Sequence, residues 1–265
     1  MNGVLLLYMG SLLFMGRNQY VFKEDQKAFV KEFMTLCETR NSWKVWRDYL
    51  TITAISISNA VDHRDNVREK REQDYMSVIG TYQKSEVDTF CRLFSETMLA
   101  LDKNPEQDFL GEIYMGLGLG QNQKGQFFTP WHVAEMMGLM SYGEGIEECI
   151  EKKGYVSVND PTCGAGVMLL AFASACKKEG LTDISDKVLF VGQDIDLVAV
   201  KMCYIQLSLC NCAGYVIWGN SLTQAPTGDV LMPENDEVDV WYTPSYYRLL
   251  DALVKAHEEK AAESA

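Results

Sequence analysis

From Tyr155 to Thr243 the chain alternates short strand-like runs with longer apolar runs at helical spacing, and this alternation restricts its fold more than any other feature. "YVSVND", "VLFVGQD", "YVIWGN" and "VDVWYT" read as strands. "GVMLLAFASACKK", closed by Gly180, and "LVAVKMCYIQLSL" read as the helices between them. Strands and helices of this length in alternation imply right-handed crossover units and a parallel sheet, with ligands held at the C-terminal ends of the strands. The residues just after each strand are therefore the ones to inspect.

"DPTCGAG" follows the first strand. Asp160 ends it, and Gly164 and Gly166 allow the backbone to bend sharply and approach a ligand at the start of the next helix. Leu169 stands where a dinucleotide fingerprint needs its third glycine, which argues against a nicotinamide or flavin oxidoreductase. The second strand ends in "GQDID", placing Asp194 to accept hydrogen bonds from ribose hydroxyls, while Asp196 suits the cap of the following helix. Asn220 in "GNSL" either offers its amide to an adenine edge or makes an ordinary turn.

The first half of the chain is helical in pattern. Phe29, Phe33 and Cys37 form one stripe, and Val87, Phe90, Cys91, Phe94 and Met98 form another. "DHRDNVREKREQDY" between them reads as a solvated helix face or loop, with Arg64, Arg68, Lys70 and Arg71 as candidates to touch phosphate. Five glycines between Gly111 and Gly125 mark a connection, after which Thr129 and Pro130 start a helix expected to bury Val133, Met136, Met137 and Met140. This divides the chain into a helical domain over 1–120 and a ligand-binding α/β domain over 121–265.

A formal charge of −13 argues against broad affinity for nucleic acid, which depends on Lys and Arg neutralising phosphates; any DNA contact needs a local basic patch or a partner. The eight scattered cysteines read as reduced thiols of a cytoplasmic protein, and the Cys210 and Cys212 pair lacks the companions of a metal site. The apolar start, Met1 to Gly16, has no Lys or Arg before it and is shorter than the roughly 20 residues of a membrane span. It reads as a packed first element or as an extension upstream of a start at Met9 or Met15, and no membrane association is expected.

Taken in order, "DFLGEIYMGLGLGQNQKGQFFTPWHVAEMMGLM", "DPTCGAGVMLLAF", "GQDID" and "GNSL" resemble the motifs of the S-adenosylmethionine-dependent adenine-N6 DNA methyltransferases, especially the modification subunits of type I restriction systems and their phage-like relatives. The resemblance covers roughly residues 20 to 247. It implies a Rossmann-like methyltransferase sheet after an α-helical domain, S-adenosylmethionine as cofactor, and double-stranded DNA as substrate with a specificity subunit or a second copy as partner. It also implies roles. Gln126, Phe127, Phe128, Thr129 and Pro130 lie beside the methionine part of the cofactor. Asp160, Thr162, Cys163, Gly164 and Gly166 lie under the methionine and ribose. Asp194 holds the ribose, Ile195 packs on the adenine and Asn220 meets its amino edge.

The family's catalytic tetrapeptide is Asn or Asp, two prolines and an aromatic, after the fourth strand. Its polar groups accept hydrogen bonds from the exocyclic amine of a flipped adenine while the ring stacks on the base. Here "TPSY" occupies that place, making Thr243, Pro244 and Tyr246 the catalytic candidates, with Thr243 in place of the Asn or Asp and Ser245 in place of the second proline. A Thr hydroxyl accepts a hydrogen bond but brings no amide and reaches less far. Only 18 residues follow Tyr247, whereas the family continues with further strands and a target-recognition region, so the sheet is expected to be incomplete at its C-terminal edge. Two functions stay open: an adenine-N6 DNA methyltransferase, or a weak or inactive cofactor-binding subunit of a restriction-modification or phage system.

Overall fold

The structure is a computed structural model that describes residues 20–120, 128–143, 145–225, 227–234 and 238–263. The apolar start, Gln126 and Phe127 lie outside the described residues. Five helices come first: α1 (Glu24–Cys37), α2 (Ser42–Val61), α3 (Asp65–Ile79), α4 (Lys84–Lys103) and α5 (Phe109–Gly116). They pack around an aromatic centre in which Phe29 meets Trp46, Tyr49 and Phe109 edge-on at 5.3–6.0 Å between ring centroids. Phe29 and Phe33 are buried as expected, but the buried face of α4 is Phe90, Leu93, Thr97 and Leu101, whereas Cys91 and Met98 are exposed. Both sets have helical spacing; the observed one is rotated by one residue, so that the Thr97 hydroxyl meets the buried Tyr49 hydroxyl at 2.6 Å.

The charged run does form a solvated helix, α3, in which only Arg71 is buried. That one arginine fastens the helical half to the sheet. It donates to Ser58 and to Asp62 at 3.2 Å, to Asp239 at 2.8 Å and to the Val240 carbonyl at 3.0 Å, and its guanidinium lies 3.7 Å from the Trp241 ring centroid. Arg64 is engaged in the same way, by Asp62 and the Val240 carbonyl. Two of the four candidate phosphate contacts are thus structural.

After α6 (Trp131–Ser141) and α7 (Gly145–Lys153) the sheet begins: β1 (Val156–Asp160), α8 (Val167–Lys178), the short α9 (Ile184–Lys187), β2 (Val188–Asp194), α10 (Leu197–Leu209) and β3 (Gly214–Trp218). A small hairpin, β4 (Thr227–Asp229) and β5 (Met232–Glu234), leads to β6 (Asp239–Tyr242) and α11 (Pro244–Glu263). The sheet order is β1-β2-β3-β6, with β1 at one edge. β1, β2 and β3 are parallel, with Asp160 opposite Gly192 and Asp194 opposite Trp218. One continuous core holds the inner helices, α8, α10 and the Val188, Phe190, Val216 and Trp241 face of the sheet, while α11 covers the other face through Tyr246 and Leu249.

Two further expectations are corrected. The last strand is antiparallel to β3, with Tyr215 opposite Tyr242 and Trp218 opposite Asp239. A parallel return needs a crossover, usually a helix, and the described residues between β3 and β6 form a turn and the β4–β5 hairpin instead. The second correction concerns α6, whose Met136, Met137 and Met140 are exposed. Its buried residues are Ala134 and Gly138, because α6 approaches α8 so closely that a Cβ at Gly138 would stand 2.8 Å from the Ala171 carbonyl oxygen. Among the described residues no helix is long and apolar enough to cross a membrane.

Candidate cofactor site

The turns after β1, β2 and β3 converge at one end of the sheet, and Asp194 joins them. One of its carboxylate oxygens accepts from the Gly164 amide and the other from the Asp196 amide, both at 2.9 Å, and its backbone carbonyl accepts from the Gly219 amide at 3.0 Å. A carboxylate has about four acceptor positions, so each oxygen keeps one for a ligand. The Cys163 amide donates to the Gln193 carbonyl at 2.9 Å and holds the β1 turn against β2.

Gly164 and Gly166 have φ of 54° and 95°, the left-handed region that glycine enters at no steric cost. The space their missing side chains leave is filled by the protein itself. A Cβ at Gly166 would stand 2.8 Å from the Cys203 sulfur, and one at Gly164 3.0 Å from the Phe128 ring. Phe128 stacks in turn on the buried Tyr114, with centroids 5.6 Å apart, which seats its ring against the β1 turn just before Thr129 and Pro130. Cys163 and Cys203 both lie against Gly192, and burial raises the Cys203 thiol pKa well above its usual value.

Asp160 accepts from the Thr162 amide at 3.1 Å. Its pKa is raised by burial and further by the Asp194 carboxylate, against the lowering effect of the Thr162 amide. Beyond Asp194, Ile195 is 67% exposed, and its carbonyl accepts from the Trp218 indole at 3.1 Å. Asp196 caps α10 by accepting from the Val198 amide at 2.9 Å, as expected. The Asn220 side-chain oxygen accepts from the Leu222 amide at 2.9 Å, so it serves the turn, while its amide nitrogen is free of hydrogen bonds to the described residues.

The catalytic candidates are elsewhere. Because β6 runs antiparallel, Thr243 lies at the start of β3, four residues from Trp218 and hence about 13 Å along the strand from the Asp194 end. Thr243 is fully buried: its hydroxyl donates to the Cys212 carbonyl at 2.8 Å and accepts from the Gly214 amide at 3.0 Å. Pro244 opens α11. Tyr246 is buried, stacks on Tyr242 at 4.5 Å and donates to the Leu231 carbonyl. The cofactor candidates from Phe128 to Asn220 are brought together; Thr243, Pro244 and Tyr246 are not brought to them.

Three parallel strands, two helical crossovers and a carboxylate at the end of the second strand define a Rossmann-like nucleotide-binding sheet. A family model for N-6 DNA methylase matches residues 106–243, more than half of the chain, and the chain belongs to that family, whose cofactor is S-adenosylmethionine. Two solved structures are similar. A candidate class I S-adenosylmethionine-dependent methyltransferase from Listeria monocytogenes is 15% identical, with 78% of this chain and 57% of that one covered, at a TM-score of 0.39. The methyltransferase subunit of a type I restriction-modification system from Streptococcus thermophilus is 19% identical, with 84% and 45% covered, also at 0.39. The chain spans about half the length of these relatives. No curated protein matches.

The residues present fit the cofactor chemically. S-adenosylmethionine carries a sulfonium, an ammonium and two ribose hydroxyls, and the site offers two carboxylates with free acceptor positions, an exposed aliphatic side chain and an aromatic ring. Among the described residues no cluster of His, Cys, Asp or Glu is placed to hold a metal.

Proposed function

We propose that this chain is the cofactor-binding and methyl-transferring unit of an adenine-N6 DNA methyltransferase. The observation that carries this reading is the Asp194 carboxylate, fixed by two backbone amides at the end of β2 with its remaining acceptor positions beside exposed Ile195. Asp194 accepts hydrogen bonds from the ribose hydroxyls, and Ile195 covers one face of the adenine. Asp160 faces the cationic part of the cofactor; Thr162, Cys163, Gly164 and Gly166 shape the turn beneath it, and Phe128 and Thr129 close it from the α6 side. Asn220 offers its free amide nitrogen to the adenine edge.

When bound, S-adenosylmethionine supplies an electrophilic methyl group on its sulfur. The protein orients that group and excludes water, and an adenine flipped out of double-stranded DNA presents its amine. A chain this acidic takes most of its DNA contacts from a specificity subunit or a second copy.

A second reading is favoured by the place of Thr243. The hydroxyl that would grip the adenine amine is buried and committed to two backbone groups about 13 Å along the strand from the cofactor end. The chain then binds the cofactor while another chain supplies the groups that hold the base. Transfer of a labelled methyl group to unmodified genomic DNA, with digestion to nucleosides, separates the two. Label in N6-methyladenine from this chain alone supports the first reading. Label only with a second subunit, or none alongside intact cofactor binding, supports the second.

A further inference from the structure

Beside the cofactor end, a cavity of about 540 Å³ opens between α3, α10 and the β3–β6 end of the sheet, lined by Lys70, Lys201, Trp218 and Asp74 among others. A second cavity of about 240 Å³, bordered by Arg47 and Asp196, shares Leu197 and Lys201 with it. Lys201 therefore stands on the wall between the two. Among the described residues its ammonium makes one hydrogen bond, to the neutral Thr51 hydroxyl at 2.9 Å, and no ion pair. Burial lowers its pKa to about 8, outweighing the opposing effect of Asp74 and Asp239. A largely enclosed ammonium with two unused N–H groups is costly to keep charged, and an anion in the cavity relieves that cost.

The other walls narrow the ligand. Arg71 and Asp239 neutralise each other at 2.8 Å, and Arg71 is further committed to Asp62, so these groups do not compete for it. Lys70 makes no ion pair or hydrogen bond among the described residues and lines the same cavity. Trp218 is 44% exposed, and its indole N–H is held by the Ile195 carbonyl, so the ring is fixed with a face available to an aromatic ligand. Asp74, which makes no ion pair, repels a bare phosphate but accepts from a sugar hydroxyl or a base amine. A fixed indole, two lysines and a hydrogen-bond-accepting carboxylate match a nucleoside phosphate.

We propose that this cavity is a nucleotide-binding site, separate from the cofactor site, in which the base stacks on Trp218 and the phosphate is held by Lys201 and Lys70. The nucleotide is either free or one unit of a nucleic acid strand. In a chain of net charge −13, it gives phosphate a local cationic foothold.

Calorimetric titration with AMP, with a mixed-sequence single-stranded oligonucleotide and with inorganic phosphate, each with and without saturating S-adenosylmethionine, tests this. AMP is expected to bind in both conditions and phosphate much more weakly. Lys201→Met is expected to weaken AMP at least about tenfold, the loss of a charge-assisted hydrogen bond, with S-adenosylmethionine affinity unchanged. Lys70→Ala, at an exposed position, gives the same direction of change without touching the core. Binding of AMP but not of the oligonucleotide assigns the site to a free nucleotide, and binding of both assigns it to a strand. Absence of AMP and oligonucleotide binding, displacement of AMP by the cofactor, or unchanged AMP affinity in both variants overturns the proposal. AMP binding is measured without the cofactor as well, so failure of the cofactor to bind leaves this result independent.

Discussion

Asp108 gives a prediction whose size follows from the structure. It caps α5 and is fully buried, accepting from the Gly111 amide at 3.0 Å and from the Gln206 side chain at 2.8 Å. Gln206 also accepts from the Leu110 amide and donates to the Ala165 carbonyl in the β1 turn, so the pair links the helical half to the cofactor site. Burial raises the Asp108 carboxyl to about 6, against the lowering effect of Gln206 and the Gly111 amide. Because its folded pKa lies above the unfolded 3.8, the folded protein holds the proton more tightly, and stability falls as pH rises from about 4 to about 6. Two units at about 1.4 kcal/mol each come to about 3 kcal/mol at neutral pH, of which about 1.4 kcal/mol falls between pH 5 and pH 7.5. Asp108→Asn keeps the cap and the oxygen acceptor and removes the charge. Urea unfolding of both proteins at these two pH values is expected to shift their stability difference by about 1.4 kcal/mol in favour of Asn at the higher pH. An equal difference at both would show that Asp108 is already ionised at pH 5 in the folded protein, refuting the reasoning.

Three further outcomes are expected. Thr243→Val leaves the Gly214 amide and Cys212 carbonyl without their hydroxyl partner and should cost about 1–3 kcal/mol in urea unfolding while S-adenosylmethionine affinity is unchanged by calorimetry. Gly166→Ala combines a left-handed φ with a contact against Cys203 and should lower stability by about 1–3 kcal/mol and weaken the cofactor with it. Arg71→Met leaves buried Asp62 with Arg64 alone and should cost about 3 kcal/mol by the same unfolding assay.

The strands and crossover helices were legible because their punctuation is strong: Asp160 with Gly164 and Gly166, Asp194 with Asp196, and Gly180 after α8 each mark a boundary. Strand direction was not legible. A short apolar run reads the same both ways, and the antiparallel setting of β6 depends on the β4–β5 hairpin that precedes it. The buried face of α6 departs from its methionine pattern because close helix packing favours Ala134 and Gly138 over the larger methionines. The bonds from Asp194 to Gly164, from Asp108 to Gln206 and from Arg71 to Asp239 join residues 30 to 168 positions apart, and no local pattern announces them. Lys201 is inconspicuous for a related reason: a single lysine in the apolar run of α10 reads as its solvated edge, and only the packing of α2, through Thr51, shows it enclosed.

Hydrogen–deuterium exchange with and without S-adenosylmethionine tests the central claim most directly, that the cofactor end of the sheet and the Thr243 end are distinct. Protection is expected in peptides spanning 160–166 and 193–197, with none in 243–247. Protection centred on Thr243 to Tyr247, with 160–166 and 193–197 unchanged, would contradict it.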